Sequence, residues 1–365
     1  MAEKRLILHV GAPKCGSTAL QTALAQNPDF GRTLGEKFRY AVIDRQGELC
    51  TGVEVRRRAT RSLSGGAPSA NARTLSALSA PTRRALAQKL NAALSETSIV
   101  LSQEGWLERP ALFLELDLLS QIRAPIDVIA YVRPQPDFLN ASWWQWGAWT
   151  QPSFERWMEA EKLPLCSWGD LLKAWQAFPN VRRVSPRLMA DDVVGDFFAL
   201  LGCPSPKAKS VNRSLPGIAL RFLQRNRELR PGRGDVDIHF VLGRALEETG
   251  GGTPWVLPPA YIRHVLETCA ASNRLLRNML DAESQARMDG DQRWWDPTAY
   301  EGKKLESANI TAADAETAEK LAVSLAKRLL VVEHELAALK ARAFRRPYSQ
   351  LAARGAARLK LLWKK

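Results

Sequence analysis

The chain has 365 residues, 45% hydrophobic and 25% charged, with a formal net charge of +14. That length and composition fit a soluble globular protein of one large α/β domain or two modest ones, and the charge predicts polyanionic partners without choosing among nucleotides, glycans, nucleic acid and anionic membranes. The five cysteines (Cys15, Cys50, Cys166, Cys203, Cys269) are scattered and contain no Cys-x-x-Cys pair, which argues against a disulfide framework or a zinc site.

Leu6 to Val10 is a short apolar run that predicts a buried strand, and it is too short to be the apolar core of a signal peptide. Gly16 to Gln26 predicts a helix ended by Asn27-Pro28. Residues 53–80 hold Arg56-Arg57-Arg58, Arg61 and Gly65-Gly66 among many Ser and Ala, and read as a basic, low-complexity, mobile loop. Pro81 opens a helix to about Leu94. Ser98 to Ser102 and Ile126 to Val132 predict further buried strands, and Val181 to Val184 a fourth. Helical patterns cover Asp137–Trp149, Asp191–Leu201, Leu215–Leu229, Pro259–Leu280 and Ala312 to about Ala343. Strands alternating with helices predict a parallel sheet with crossover helices. The expected organisation is one domain over 1–300, a long C-terminal helix over 301–345 and a basic tail over 346–365. No run approaches the ~20 apolar residues of a membrane-spanning helix.

Between the first strand and the first helix lies His9-Val10-Gly11-Ala12-Pro13-Lys14-Cys15-Gly16-Ser17-Thr18. A glycine-rich turn there directs backbone N–H groups and the positive end of a helix dipole at an anion. Gly11, Gly16 and Thr18 match the spacing of a nucleoside-triphosphatase loop, but Ser17 stands where that loop needs lysine and the one lysine, Lys14, lies inside the turn. Such a loop suits a shorter anion. The segment Pro13-Lys14-Cys15-Gly16-Ser17-Thr18 resembles the 5'-phosphosulfate loop of sulfotransferases of bacterial type that use 3'-phosphoadenosine-5'-phosphosulfate (PAPS). The resemblance covers roughly residues 5–30, 98–150 and 180–280. It implies a P-loop-like α/β fold, a parallel sheet flanked by helices, and PAPS as sulfuryl donor with no metal required.

The same resemblance implies that Gly11, Pro13, Lys14, Cys15, Gly16, Ser17 and Thr18 hold the phosphosulfate. Arg133, after the Ile126–Val132 strand, is placed to grip the 3'-phosphate, and Ser142 in the following helix is its implied partner, although the position eight after Arg133 is Ala141. Arg213, in Asn212-Arg213-Ser214-Leu215, is a further candidate; alternatively Asn212 and Ser214 cap the next helix.

Sulfuryl transfer needs a cation at the leaving phosphate oxygen, donors for the sulfuryl oxygens and a base for the acceptor. Lys14 fits the first task and the loop with Ser17 and Thr18 the second. Glu104, in Gln103-Glu104-Gly105-Trp106 after the second strand, is the expected base, with His9 as competitor. Trp143, Trp144, Trp146, Trp149 and Trp157 favour a carbohydrate or glycolipid acceptor, hydroxyl or amine, if exposed, and a core if not. Residues 340–365 carry nine Lys or Arg and no Asp or Glu. That tail suits peripheral contact with an anionic membrane and equally suits a solubilising role; no specific nucleic-acid partner is expected. The expected compartment is the cytoplasm, including its membrane face. The alternatives are a P-loop small-molecule kinase using ATP–Mg²⁺ and a non-catalytic nucleotide-fold scaffold.

Overall fold

The computed structural model describes residues 3–32, 35–151, 153–159, 163–206, 215–232, 236–246, 252–308 and 315–362. Seven strands form one sheet: β1 (Leu6–His9), β2 (Asp29–Gly31), β3 (Lys37–Ile43), β4 (Leu49–Thr51), β5 (Ser98–Ser102), β6 (Ile126–Val132) and β7 (Val181–Leu188). The order is β2-β3-β5-β1-β6-β7, with β4 sharing the outer edge of β3. β3, β5, β1, β6 and β7 run parallel, and β2 and β4 are antiparallel to β3. Every residue of β1, β5 and β6 is buried. Helices cover both faces of the sheet, so its central strands bury both sets of side chains, which is why they read as unbroken apolar runs.

β2, β3 and β4 fall in a stretch without a sequence prediction. Their signal is Phe38, Tyr40, Val42 and Ile43, all buried, interrupted by Arg39, which turns outward to Asp29 at 2.9 Å. The region 53–80 is also ordered. Gly52–Arg61 is a helix whose Val55 and Ala59, four apart, are buried, while Arg57 and Arg58 turn out to Glu54 at 2.6 Å and Asp44 at 3.0 Å. The Ser- and Ala-rich stretch beyond it is tied to the strands. Tyr40 Oη donates to the Ala67 carbonyl at 2.6 Å, and the N–H groups of Ser69 and Ala70 donate to Ser102 and Ile43 carbonyls at 3.0 and 2.7 Å. Residues 62–71 carry no helix or strand, as a loop would, but several of their backbone groups find partners at strand ends.

The helix Pro259–Met279 packs on Trp168–Gln176 and on Gln135–Ser142. Gln135, fully buried, donates to Asn273 at 2.6 Å, which fixes the start of the helix that follows β6. The long C-terminal helix begins at Ala315 and its backbone stays helical to Leu362, so residues 346–362 continue the helix and are not a separate tail. No helix among the described residues is long and apolar enough to cross a membrane.

Candidate functional site

β1 and β6 are neighbours at the centre of the sheet, and the connection that leaves β1 runs toward β3 on one side while the connection that leaves β6 runs to β7 on the other. In open α/β sheets that switch point, at the carboxyl ends of the strands, is where ligands bind. β1 enters the glycine loop there. The loop first keeps pairing with its neighbours: Val10 and Ala12 N–H donate to Ile129 and Tyr131 carbonyls at 3.0 Å each, and Leu107 N–H donates to the Val10 carbonyl at 3.1 Å. It then reverses through two left-handed residues, Lys14 (φ 65°) and Gly16 (φ 83°). Gly16 is needed there twice over, since a Cβ would also meet Val193 at 2.8 Å. Lys14 has no such freedom, and a lysine held in this conformation is a strained one.

Gly16 leads directly into the helix Ser17–Gln26, whose first turn has no side-chain cap. Its N–H groups are left for a ligand or water. They border a cavity of about 560 Å³ lined by Pro13, Lys14, Gly16, Ser17 and Thr18 from the loop, Glu104 from the end of β5 and Arg133 from the end of β6. These residues come from three adjacent strand ends, which is how positions more than 100 residues apart in sequence converge.

The electrostatics are coupled. Burial pulls the Lys14 ammonium down to about 8, against the opposing charge of Glu104 and with the help of Arg230 and Arg133. Burial raises the Glu104 carboxyl above its ordinary value, and the Lys14 charge resists that shift. Arg133 donates from Nη1 to the Lys14 carbonyl at 3.2 Å and lies 3.7 Å from Asp137, so the guanidinium is braced against the loop.

Not every expected residue reaches the cavity. Gly11 lies beneath the loop, where a Cβ would meet His9 Nε2 at 2.8 Å. Cys15 is fully buried and its thiol is pushed up to about 12, which makes it an inert core side chain. His9 is fully buried, bonds Ser102 Oγ through Nδ1 at 2.8 Å, and is held down to about 4 by burial. It does not line the cavity, whereas Glu104 does. Ser142 is buried with its hydroxyl unpartnered, and Ala141 lines the cavity in its place. The helix Gln135–Ser142 is regular through this stretch, so nothing absorbs the one-residue offset. Arg213 lies outside the described residues.

The tryptophan-rich segment divides. Trp143, Trp144 and Trp157 are buried. Trp143–Gly147 winds as a π-helix, a form frequent at functional sites, and Trp144, Gln145 and Trp146 line the cavity. Gly147 permits this turn, since a Cβ there would meet the Trp143 ring at 2.3 Å. Trp149 lies under the Arg230 guanidinium at 4.8 Å, and Arg230 also bonds His239 and donates to the Gln145 carbonyl at 2.5 Å. His239 lines the cavity and is lowered to about 3 by burial and by the charges of Arg230 and Lys14. Nothing in the local sequence marks Arg230 or His239, since tertiary packing alone carries His239 to this wall and buries Arg230 against it. The arginines of Gly52–Arg61 do not line the cavity. Among the described residues no group of three or more metal-ligating side chains is gathered.

Comparison with known proteins returns nothing: no family model, no curated protein and no solved structure matches this chain.

Proposed function

We propose that the chain is a sulfotransferase that moves the sulfuryl group of PAPS to a hydroxyl or amine of a carbohydrate or glycolipid acceptor. The observation that carries this reading is Lys14. It sits inside a glycine loop, at positive φ, on a cavity wall facing the charge of Glu104, with Ser17 where a triphosphate-binding loop would have its lysine. Support also comes from the loop-bearing strand being central in a mainly parallel sheet, the arrangement a P-loop-like nucleotide fold requires.

The donor is a substrate, and the residues present suit it. The uncapped first turn of Ser17–Gln26 offers backbone donors, and Ser17 Oγ is a buried hydroxyl without a partner. Lys14 would neutralise the leaving phosphate oxygen, while the loop N–H groups and Thr18 would hold the sulfuryl oxygens. Arg133 would take the 3'-phosphate. Glu104 would accept the acceptor's proton as the new bond from the acceptor's oxygen or nitrogen to sulfur forms and the sulfur–oxygen bond to phosphate breaks. Its raised affinity for protons suits that task. Trp146 and Gln145 border the space left for the acceptor.

Thermal shift with adenosine 3',5'-bisphosphate, AMP and ATP–Mg²⁺ tests the reading. Stabilisation by the bisphosphate well beyond AMP is expected. Stabilisation by ATP–Mg²⁺ alone would overturn it in favour of a kinase. Bisphosphate binding with no sulfuryl transfer to any of a panel of glycan and glycolipid acceptors would favour a non-catalytic scaffold.

A further inference from the structure

The C-terminal helix Ala315–Leu362 is anchored at its start, where Leu321 is buried and Leu325 half-buried against the helices Gly217–Arg225 and Asp237–Ala245. Beyond Leu325 it carries large apolar side chains that the rest of the protein does not cover. Leu329 is 61% exposed, Val332 39%, Leu336 40% and Leu339 61%. Monomeric proteins rarely display such a contiguous apolar strip without using it.

The spacing says what covers the strip. Leu325, Leu329, Val332, Leu336 and Leu339 advance by alternating steps of four and three, the seam of a coiled coil. If Leu329 and Leu336 are the first seam positions of their heptads and Val332 and Leu339 the second, the flanking positions are Arg328 and Glu335 on one side and Glu333 on the other. In a parallel, in-register pair, a residue on the first flank meets the residue five places further on in its partner. Arg328 then meets Glu333 of the other copy. Leu330 and Val331 fall outside the seam, because each residue turns about 100° around the helix. They stay exposed in the pair.

We propose that a second copy of this chain docks along this seam, as a parallel two-stranded coiled coil over Leu329–Leu339. The seam is short, so the pairing is concentration-dependent. Pairing along this seam does not depend on what the cavity binds.

Sedimentation equilibrium of the full chain over a hundredfold concentration range reads it. The mass is expected to rise from the 40.6 kDa protomer toward twice that value. The double variant Leu329→Glu/Leu336→Glu, on exposed positions, is expected to keep its melting temperature and remain a protomer throughout. Arg328→Glu should weaken pairing several-fold, and Arg328→Glu/Glu333→Arg should restore it. Val332→Cys should give a covalent dimer on mild oxidation, since a parallel seam sets the two residues face to face and the five native cysteines are buried. A wild-type protomer at every concentration overturns the proposal. So does a dimer unaffected by the glutamates, a dimer that Val332→Cys fails to cross-link, or loss of the glutamate variant's binding to anionic vesicles with no self-association in the wild type.

Discussion

Lys14 and Glu104 line one cavity, from the turns that follow two adjacent strands. Each is pushed by burial toward its neutral form, and the charge of each offsets part of the shift of the other. They reach this arrangement from adjacent strands, β1 and β5, which pair in parallel from Leu6 and Ile99 to His9 and Ser102. The turn after each strand is knitted to the other, with Gln103 N–H donating to the His9 carbonyl at 3.1 Å and Gly105 N–H to the Gly11 carbonyl at 3.3 Å. Their relative position is therefore a property of the sheet.

On the sulfotransferase reading, Lys14→Ala removes the cation at the leaving oxygen. A loss of roughly 10²- to 10³-fold in kcat, the scale of one preorganised electrostatic contact, is expected with little change in acceptor KM. The strained backbone at position 14 is retained by any residue other than glycine, so Lys14→Arg separates charge from shape. Its geometry differs from lysine, and partial recovery is expected. Full activity in Lys14→Ala would remove the role assigned here.

The pH profile follows from the same pair. Glu104 has a folded value raised above the ordinary carboxylate range, so the base is lost as pH falls through that raised value. Lys14 is lowered to about 8, so its charge is lost as pH rises through that region. A bell-shaped kcat/KM profile is expected, with its alkaline limb near 8 and its acid limb above the usual carboxylate range. Glu104→Gln should lower kcat by about 10²- to 10⁴-fold and abolish the acid limb. An unchanged acid limb in that variant would move the base elsewhere.

Ser142 and Ala141 give a test of register. The Ser142 hydroxyl is buried and unpartnered, a state that costs about 1–3 kcal/mol. Ser142→Ala is expected to leave bisphosphate affinity unchanged and to keep or raise the melting temperature. Ala141→Ser places a hydroxyl on the cavity wall, eight residues after Arg133, and should tighten adenosine 3',5'-bisphosphate by about fivefold, the value of one added hydrogen bond near 1 kcal/mol. Weakened binding in Ser142→Ala would reverse this assignment.

These residues show where sequence was a sufficient guide. β5 and β6 were legible to the residue because both of their faces are buried, so burial wrote one unbroken apolar run. The loop was legible because Gly11, Lys14 and Gly16 fall within six residues, and Lys14, Glu104 and Arg133 line one cavity. β2, β3 and β4 were not, because β3 alternates Phe38 and Tyr40 with an outward Arg39 and lies beside an arginine-rich helix that resembles a loop in composition. Ser142 could not be placed by counting alone, since a one-residue shift turns a helical side chain from cavity to core. Arg230 and His239 left no local trace, because Trp149 and the Gln145 carbonyl, not their own neighbours in sequence, hold the pair in place.

His9 beneath the loop ties acid stability to the site. Its folded value is about 4 against an ordinary 6.5, because burial disfavours the imidazolium. Between those values the unfolded chain binds more protons than the folded one. The stabilisation is therefore complete above about 6.5 and is lost as pH falls through the window toward 4. At 1.36 kcal/mol per unit the loss from this one residue approaches about 3 kcal/mol. His239, lowered to about 3, acts with the same sign, so the two must be separated by substitution. His9→Asn keeps a group that can bond Ser102 Oγ where Nδ1 now does, at 2.8 Å, and cannot titrate. Urea unfolding at pH 7 and pH 4.5 should show the variant losing about 2–3 kcal/mol less than the wild type across that interval, even if its stability at pH 7 is lower. An equal loss in both proteins would mean that His9 titrates alike folded and unfolded, and that its burial under the glycine loop does not govern the acid sensitivity of the fold.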